Sequence, residues 1–186
     1  MKDLDCNTPK GREHIAQQYA IIERICAAWK CEAILTPDDK DSPVDVLFVR
    51  DRNIVAVAEV KSRPTLTLNQ LRAFKPPTDG YLITYRKIEE GIQIGWKLRV
   101  PYLVIVGMVD ALAWWYVSDE HGQITGCFHV QRSETQATCN GGIANRENAY
   151  LRLSEMRFVV EQTSVAATTT TAIVTGEVTA DDIQWM

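Results

Sequence analysis

Apolar residues recur at helical spacing near the start of the chain. Ile15, Tyr19, Ile22, Cys26 and Trp29 form one stripe of an amphipathic helix predicted from about Gly11 to Lys30. A polar, proline-bounded loop follows, from Thr36 to Pro43. Next come two runs rich in β-branched residues, VDVLFVR (Val44–Arg50) and IVAVAEVK (Ile54–Lys61), both too short for typical helices. With Asp51-Arg52-Asn53 between them they predict a β-hairpin with a three-residue loop and Asn53 in its left-handed position. A short helix or loop is expected around Asn69–Phe74, with a break at Pro76-Pro77. A second helix is predicted from about Tyr81 to Arg99, then strands at Tyr102–Val109 and Ala113–Val117. Strand, helix, strand is the pattern of a crossover connection in a mixed sheet. Residues His121–Asn148 read as a long excursion with a turn at Gly141-Gly142, and Tyr150–Val160 as a last short strand and helical turn. Residues 1–161 are expected to make one domain. Residues 162–186, rich in threonine and alanine, are expected to be a low-complexity tail, weakly ordered or an extended arm.

Composition adds bounds. The 186 residues are 46% hydrophobic and 24% charged, as in an ordinary soluble globular protein, and no apolar run approaches the length of a membrane span. The polar, acidic opening MKDLDCNTPKGREH gives no expectation of a signal peptide. Five scattered cysteines with no CxxC pair are expected to be reduced thiols in a cytoplasmic protein. The three histidines lack zinc-ligand spacing. Net charge is −4, but it is unevenly spread: Met1–Val60 carries −3, Lys61–Arg99 carries +5 and the remainder −6. The positive stretch suits a phosphate-rich substrate at one edge of the protein, or equally a solvated helix face.

The chemistry concentrates in the hairpin. A three-residue loop places Asp45 opposite Glu59, with their Cβ atoms about 5 Å apart. Lys61, two residues on, projects from the same face as Glu59. A one-residue slip would send Asp45 to the other face. Two facing carboxylates among apolar strands repel, and a bound cation resolves that conflict. Hard oxygen ligands describe a magnesium site, with Lys61 beside it to orient water or stabilise developing charge. An ordinary salt bridge in an unrelated α/β domain is the alternative, and it would be a weak one.

Pro43-Val44-Asp45, thirteen intervening residues and Glu59-Val60-Lys61 resemble the PD-(D/E)XK nuclease superfamily, restriction-type and phage nucleases among them. The resemblance covers roughly Gly11 to Val117. It implies a restriction-endonuclease-like α/β core, a mixed β-sheet flanked by helices in α-β-β-β-α-β order. It also implies Mg2+-dependent hydrolysis of DNA phosphodiester bonds, Mn2+ substituting, with Asp45, Glu59 and the backbone carbonyl of Val60 as ligands and Lys61 as the catalytic lysine. Many members add a glutamate from the first helix. Glu23 is the candidate here, flanked by Ala16, Ala20 and Ala27, and Glu13, followed by Gln17, is the alternative. Gln70, with Phe74 in place of a tyrosine four residues on, partly matches an exonuclease-type pattern. Gln70, Lys87 and Arg63 are candidates for nucleic-acid contact, and Trp114, Trp115 and Tyr116 for base stacking. A structure-specific junction resolvase and a catalytically silent nucleic-acid-binding protein are the competing readings. A homodimer is left open, and no membrane association is expected.

Overall fold

The computed structural model describes residues 7–37, 42–74, 80–138 and 141–159. The Pro76-Pro77 break and the threonine-rich tail lie outside them. Helix α1 (Pro9–Trp29) begins where the Thr8 side chain accepts a hydrogen bond from the Gly11 N–H at 3.0 Å, with Pro9 in the first turn. It ends at Lys30 in the left-handed conformation. Its buried stripe is Ile21, Ile22, Ile25 and Trp29.

Six strands make the central sheet: β1 (Glu32–Leu35), β2 (Val46–Arg50), β3 (Asn53–Arg63), β5 (Tyr102–Met108), β6 (Leu112–Ser118) and β9 (Arg157–Phe158), in the order β1-β2-β3-β5-β6-β9. Strands β3 and β5 run parallel, and the other neighbours are antiparallel. Between β3 and β5 lie α2 (Leu68–Arg72), β4 (Tyr81–Thr84) and α3 (Tyr85–Leu98). A second sheet joins β4 to a long hairpin, β7 (Phe128–Thr138) and β8 (Gly141–Leu151), in the order β4-β8-β7. With β4 set aside as an addition, the chain from α1 through β1, β2, β3 and α3 to β5 follows the expected α-β-β-β-α-β order. The fold is α/β, with a mixed sheet flanked by helices, as in restriction endonucleases.

Two apolar clusters sandwich the sheet. On one side α1 packs on Ala56, Ala58, Val60, Leu103 and Ile105. On the other, Val57, Val104, Val106 and Trp115 meet Ile88 of α3 and Tyr81, Ile83, Ala149 and Leu151 of the second sheet. Alternation along β3 therefore turns Glu59 and Lys61 to the α3 side, and Val60 and Ser62 to the α1 side. Gly91 lets α3 lie close on β5. A Cβ there would stand 2.2 Å from the Tyr102 ring, and the Tyr102 hydroxyl donates to the Lys87 carbonyl at 3.1 Å.

Three expectations change. Tyr81–Thr84 is a strand rather than the first turn of a helix, because its β-type residues pair with Asn148–Leu151 and Thr84 becomes the N-cap of α3. The expected excursion is mostly the β7–β8 hairpin. From Gln131 to Ala137 its residues alternate between half-buried and exposed, but they are polar or small, so no hydrophobic period marks the strand. Trp114 and Trp115 are core residues, 3% and 0% exposed. They pack on Trp29 and Tyr81, so neither offers a face to a base.

The β2–β3 hairpin departs from the expected geometry yet reaches the expected pairing. Its loop has two residues, Asp51 and Arg52, at φ 50° and 65°, between the paired Arg50 and Asn53. Positive φ at both centres is the primed turn that suits strand twist. Taken alone, the shorter loop would displace the register by one residue. A bulge restores it, because Val49 pairs with Ile54 while Phe48 pairs with Ala56, leaving Val55 as the extra residue. The ladder then runs to Val46 opposite Ala58, which brings Asp45 level with Glu59. Since Arg52 at φ 65° lacks the tolerance of positive φ that glycine has, and asparagine suits the Asp51 position at least as well as aspartate, the pair Asp51→Asn with Arg52→Gly is expected to stabilise the protein by about 1 kcal/mol. Urea unfolding of the double variant checks this.

Candidate active site

Strand β3 outruns β2. Toward β5 it stays paired as far as Arg63 opposite Met108, but toward β2 the ladder stops at Ala58. The backbone of Val60 then faces a gap, and side chains fill it. Asp45 Oδ2 accepts from the Val60 N–H at 2.7 Å, while the Asp45 N–H donates to the Ala58 carbonyl at 2.9 Å. On the carbonyl side, the Gln18 amide of α1 donates to Val60 O at 2.6 Å. The Asp45 carboxylate thus lies at the sheet edge where β2 leaves β3. Thr36 holds its loop, the hydroxyl donating to Val44 O at 2.7 Å and to Asp45 O at 3.1 Å. Lys87 Nζ reaches from α3 to Ser42 O at 2.6 Å and ties down the same loop.

Glu59 is fully buried. Its Oε1 accepts from Lys61 Nζ, and its Oε2 has no partner among the described residues. Burial pushes the Glu59 pKa above the ordinary carboxylate value, and the Asp45 charge adds to that while Lys61 and Lys87 oppose it. For Lys61, burial disfavours the charge, but Glu59 and Asp45 outweigh it and hold the ammonium above its usual pKa. The centre therefore holds two acidic groups and one firmly protonated base around an unused carboxylate oxygen.

The donor set fits a hard divalent cation. Asp45, Glu59 and the second lone pair of the Val60 carbonyl are all oxygen donors, and the idle Oε2 is a position that such an ion would satisfy. Among the described residues no three His, Cys, Asp or Glu side chains converge as a ready metal cluster. Further ligands would have to be water or substrate oxygens, as is usual for magnesium.

The other candidates are placed differently. Glu23 is exposed on α1, and α1 covers the opposite side of the sheet from Glu59 and Lys61, so the structure does not bring it to them. Helix α1 instead offers two glutamines. Gln18 meets Val60, and Gln17 accepts from the Ser62 hydroxyl at 2.8 Å while donating to Glu13 at 3.3 Å. The sequence alternative, Glu13 followed by Gln17, is expected nearer solvent than Glu23, yet Gln17 reaches Ser62 on β3. Gln70 turns back on its own helix: its side chain accepts from the Thr67 N–H at 2.8 Å and closes a capping box. Phe74 is exposed. Arg63 lies over the Tyr81 ring, 5.6 Å from its centroid, and donates to Ser62 O at 2.8 Å. Lys87 is on the site side, engaged as described above. Next to it on α3, Glu90 bridges Arg86 at 2.6 Å. A residue the sequence did not flag is Tyr81, buried on the same side with its hydroxyl unpartnered.

An α/β sheet of this topology, with an acidic pair and a lysine where β2 and β3 part, defines the restriction-endonuclease-like class of nuclease folds. The family model described as "Phage putative PDDEXK endonuclease" matches residues 11–138, and the chain belongs to that family. No curated protein and no solved structure gives a significant match.

The coupling of Glu59 and Lys61 has a measurable sign. Lys61→Met leaves Glu59 buried without its counter-ion and raises its folded-state pKa further. An acid whose folded pKa exceeds its unfolded one stabilises the fold below the unfolded value and loses that contribution as pH rises through the folded value. The variant is therefore expected to match wild type near pH 4 and to fall behind by about 3 kcal/mol at pH 8. Urea unfolding in chelator across that range reads the difference.

Proposed function

We propose that the protein is a Mg2+-dependent endonuclease that hydrolyses DNA phosphodiester bonds, with Mn2+ able to replace Mg2+. The observation that carries this reading is Glu59 Oε2, a buried carboxylate oxygen with no partner beside a second carboxylate and a charged lysine. Native proteins rarely leave such an atom idle without a functional reason. Membership of an endonuclease family supports the reaction class and DNA as the substrate.

Asp45, Glu59 and the Val60 carbonyl would hold the ion. When bound, such an ion polarises a phosphoryl oxygen and makes water a better nucleophile. The chain's own residues do the rest. Lys61 stays protonated, so it stabilises negative charge building on the phosphate and orients the attacking water through its N–H donors. Gln18 fixes the direction of the Val60 carbonyl, and Asp45 fixes the N–H of the same residue, so the β3 edge is rigid before substrate arrives. Arg63 and Lys87 supply positive charge on the same side for the phosphate backbone.

Supercoiled plasmid, branched DNA and single strands, each with Mg2+, Mn2+ or chelator, test the reading. Cleavage is expected only with a divalent ion. Lys61→Ala, and Asp45→Asn, which keeps an oxygen for the Val60 N–H, are expected to lower it by at least about 100-fold with the fold intact by circular dichroism. Equal cleavage by wild type and Lys61→Ala would overturn the reading. Retained DNA affinity without cleavage under any ion would leave a binding protein, and preference for branched DNA would mark a junction-specific enzyme.

A further inference from the structure

Tyr81 is 3% exposed, and its hydroxyl oxygen has no hydrogen-bond partner among the described residues. Two side chains hold its ring. It stacks on Trp115 at 5.7 Å between centroids and 26° between planes, and Arg63 lies over it at 5.6 Å. A ring held this way cannot swing its hydroxyl out to water. Tyr81 belongs to the apolar cluster on the side of the sheet that Glu59 and Lys61 face, and the Arg63 that covers it stands two residues beyond Lys61 on that face of β3. An idle polar atom is thus buried on the side of the sheet that carries the reacting groups. A fold that needed only the ring would be better served by phenylalanine, since a buried hydroxyl without a partner is costly.

The resting state explains why the hydroxyl is idle. In the resting protein the Lys61 ammonium donates to Glu59 Oε1. If Glu59 serves a divalent ion through Oε2, as proposed above, its charge is drawn toward the ion, its Oε1 becomes a poorer acceptor for Lys61, and the ammonium gains from another acceptor that does not neutralise it. A phenol oxygen is such an acceptor. We propose that Tyr81 is a positioning residue whose hydroxyl accepts a hydrogen bond from Lys61 when Glu59 binds the ion, holding the ammonium toward the scissile phosphate. The proposal rests on the nuclease reading and adds a residue that the PD-(D/E)XK motif does not contain.

Tyr81→Phe removes one oxygen and keeps the ring. In chelator the variant is expected to melt at or above the wild-type temperature, because the resting hydroxyl has no partner to lose. Added Mg2+ or Mn2+ is expected to raise the melting temperature of wild type more than that of the variant. With plasmid substrate, kcat is expected to fall about tenfold while KM, and DNA affinity measured in Ca2+, stay within about twofold. Equal ion-induced shifts, or equal kcat, would overturn the role of Tyr81 while leaving the nuclease reading standing. A variant less stable than wild type in chelator would also overturn it, by showing that the hydroxyl is already engaged. A wild type that neither cleaves nor gains stability from either ion would remove the nuclease reading, and this inference with it.

Discussion

Val60 is where the structure is most constrained. Its N–H and C=O point into the gap left when β2 ends, and a buried backbone group without a partner is expensive. Both are satisfied by side chains, Asp45 on the N–H and Gln18 on the carbonyl. That pair of bonds does three jobs together. It closes the open side of β3, anchors the loop that leads into β2, and docks α1 across the other face of the sheet. The residues on either side of Val60 then have no choice of direction, and Glu59 and Lys61 are turned inward together.

The centre is assembled against its own electrostatics. Burial and the neighbouring Asp45 both oppose the Glu59 charge, and the ion pair with Lys61 uses only one of its two oxygens. A fold selected for stability alone would place an apolar side chain here, as its β3 neighbours Val57, Ala58 and Val60 illustrate. Around this point the support is rigid. Gly91 seats α3 against Tyr102, whose hydroxyl holds the Lys87 carbonyl, and the Lys87 ammonium holds the loop before Asp45. Strain of this kind is tolerable in a small region because the two apolar clusters around it are extensive.

Much of this was legible in the chain. The β-branched runs marked β2, β3 and β5, and the helical stripe marked α1, because burial writes a period into apolar positions. The pairing of Asp45 with Glu59 was also legible, but by an unexpected route. The loop is one residue shorter than Asp51-Arg52-Asn53 suggested, and the bulge at Val55, which has no signature in a run of valines and alanines, restores the register. What could not be read was polar structure. The β7–β8 hairpin carries no apolar alternation through its outer half. The α1 residues that reach β3 are amides rather than acids, Gln17 and Gln18, and nothing in the apolar stripe of α1 distinguishes their direction from that of Glu23. Tyr81 sat in a segment that seemed to belong to a helix, and only tertiary pairing with β8 reveals which way it faces.

The division of labour between the tight turn and the bulge has a consequence for how this hairpin can drift. Between Arg50 and Val55 the chain has slack, since the irregularity can absorb a gained or lost residue before the regular ladder begins. Between Ala56 and Lys61 it has none, because one inserted residue would exchange the inward and outward faces of everything downstream. Length variation among related sequences should therefore gather at the tip of the hairpin and be missing from the six residues that end at the lysine.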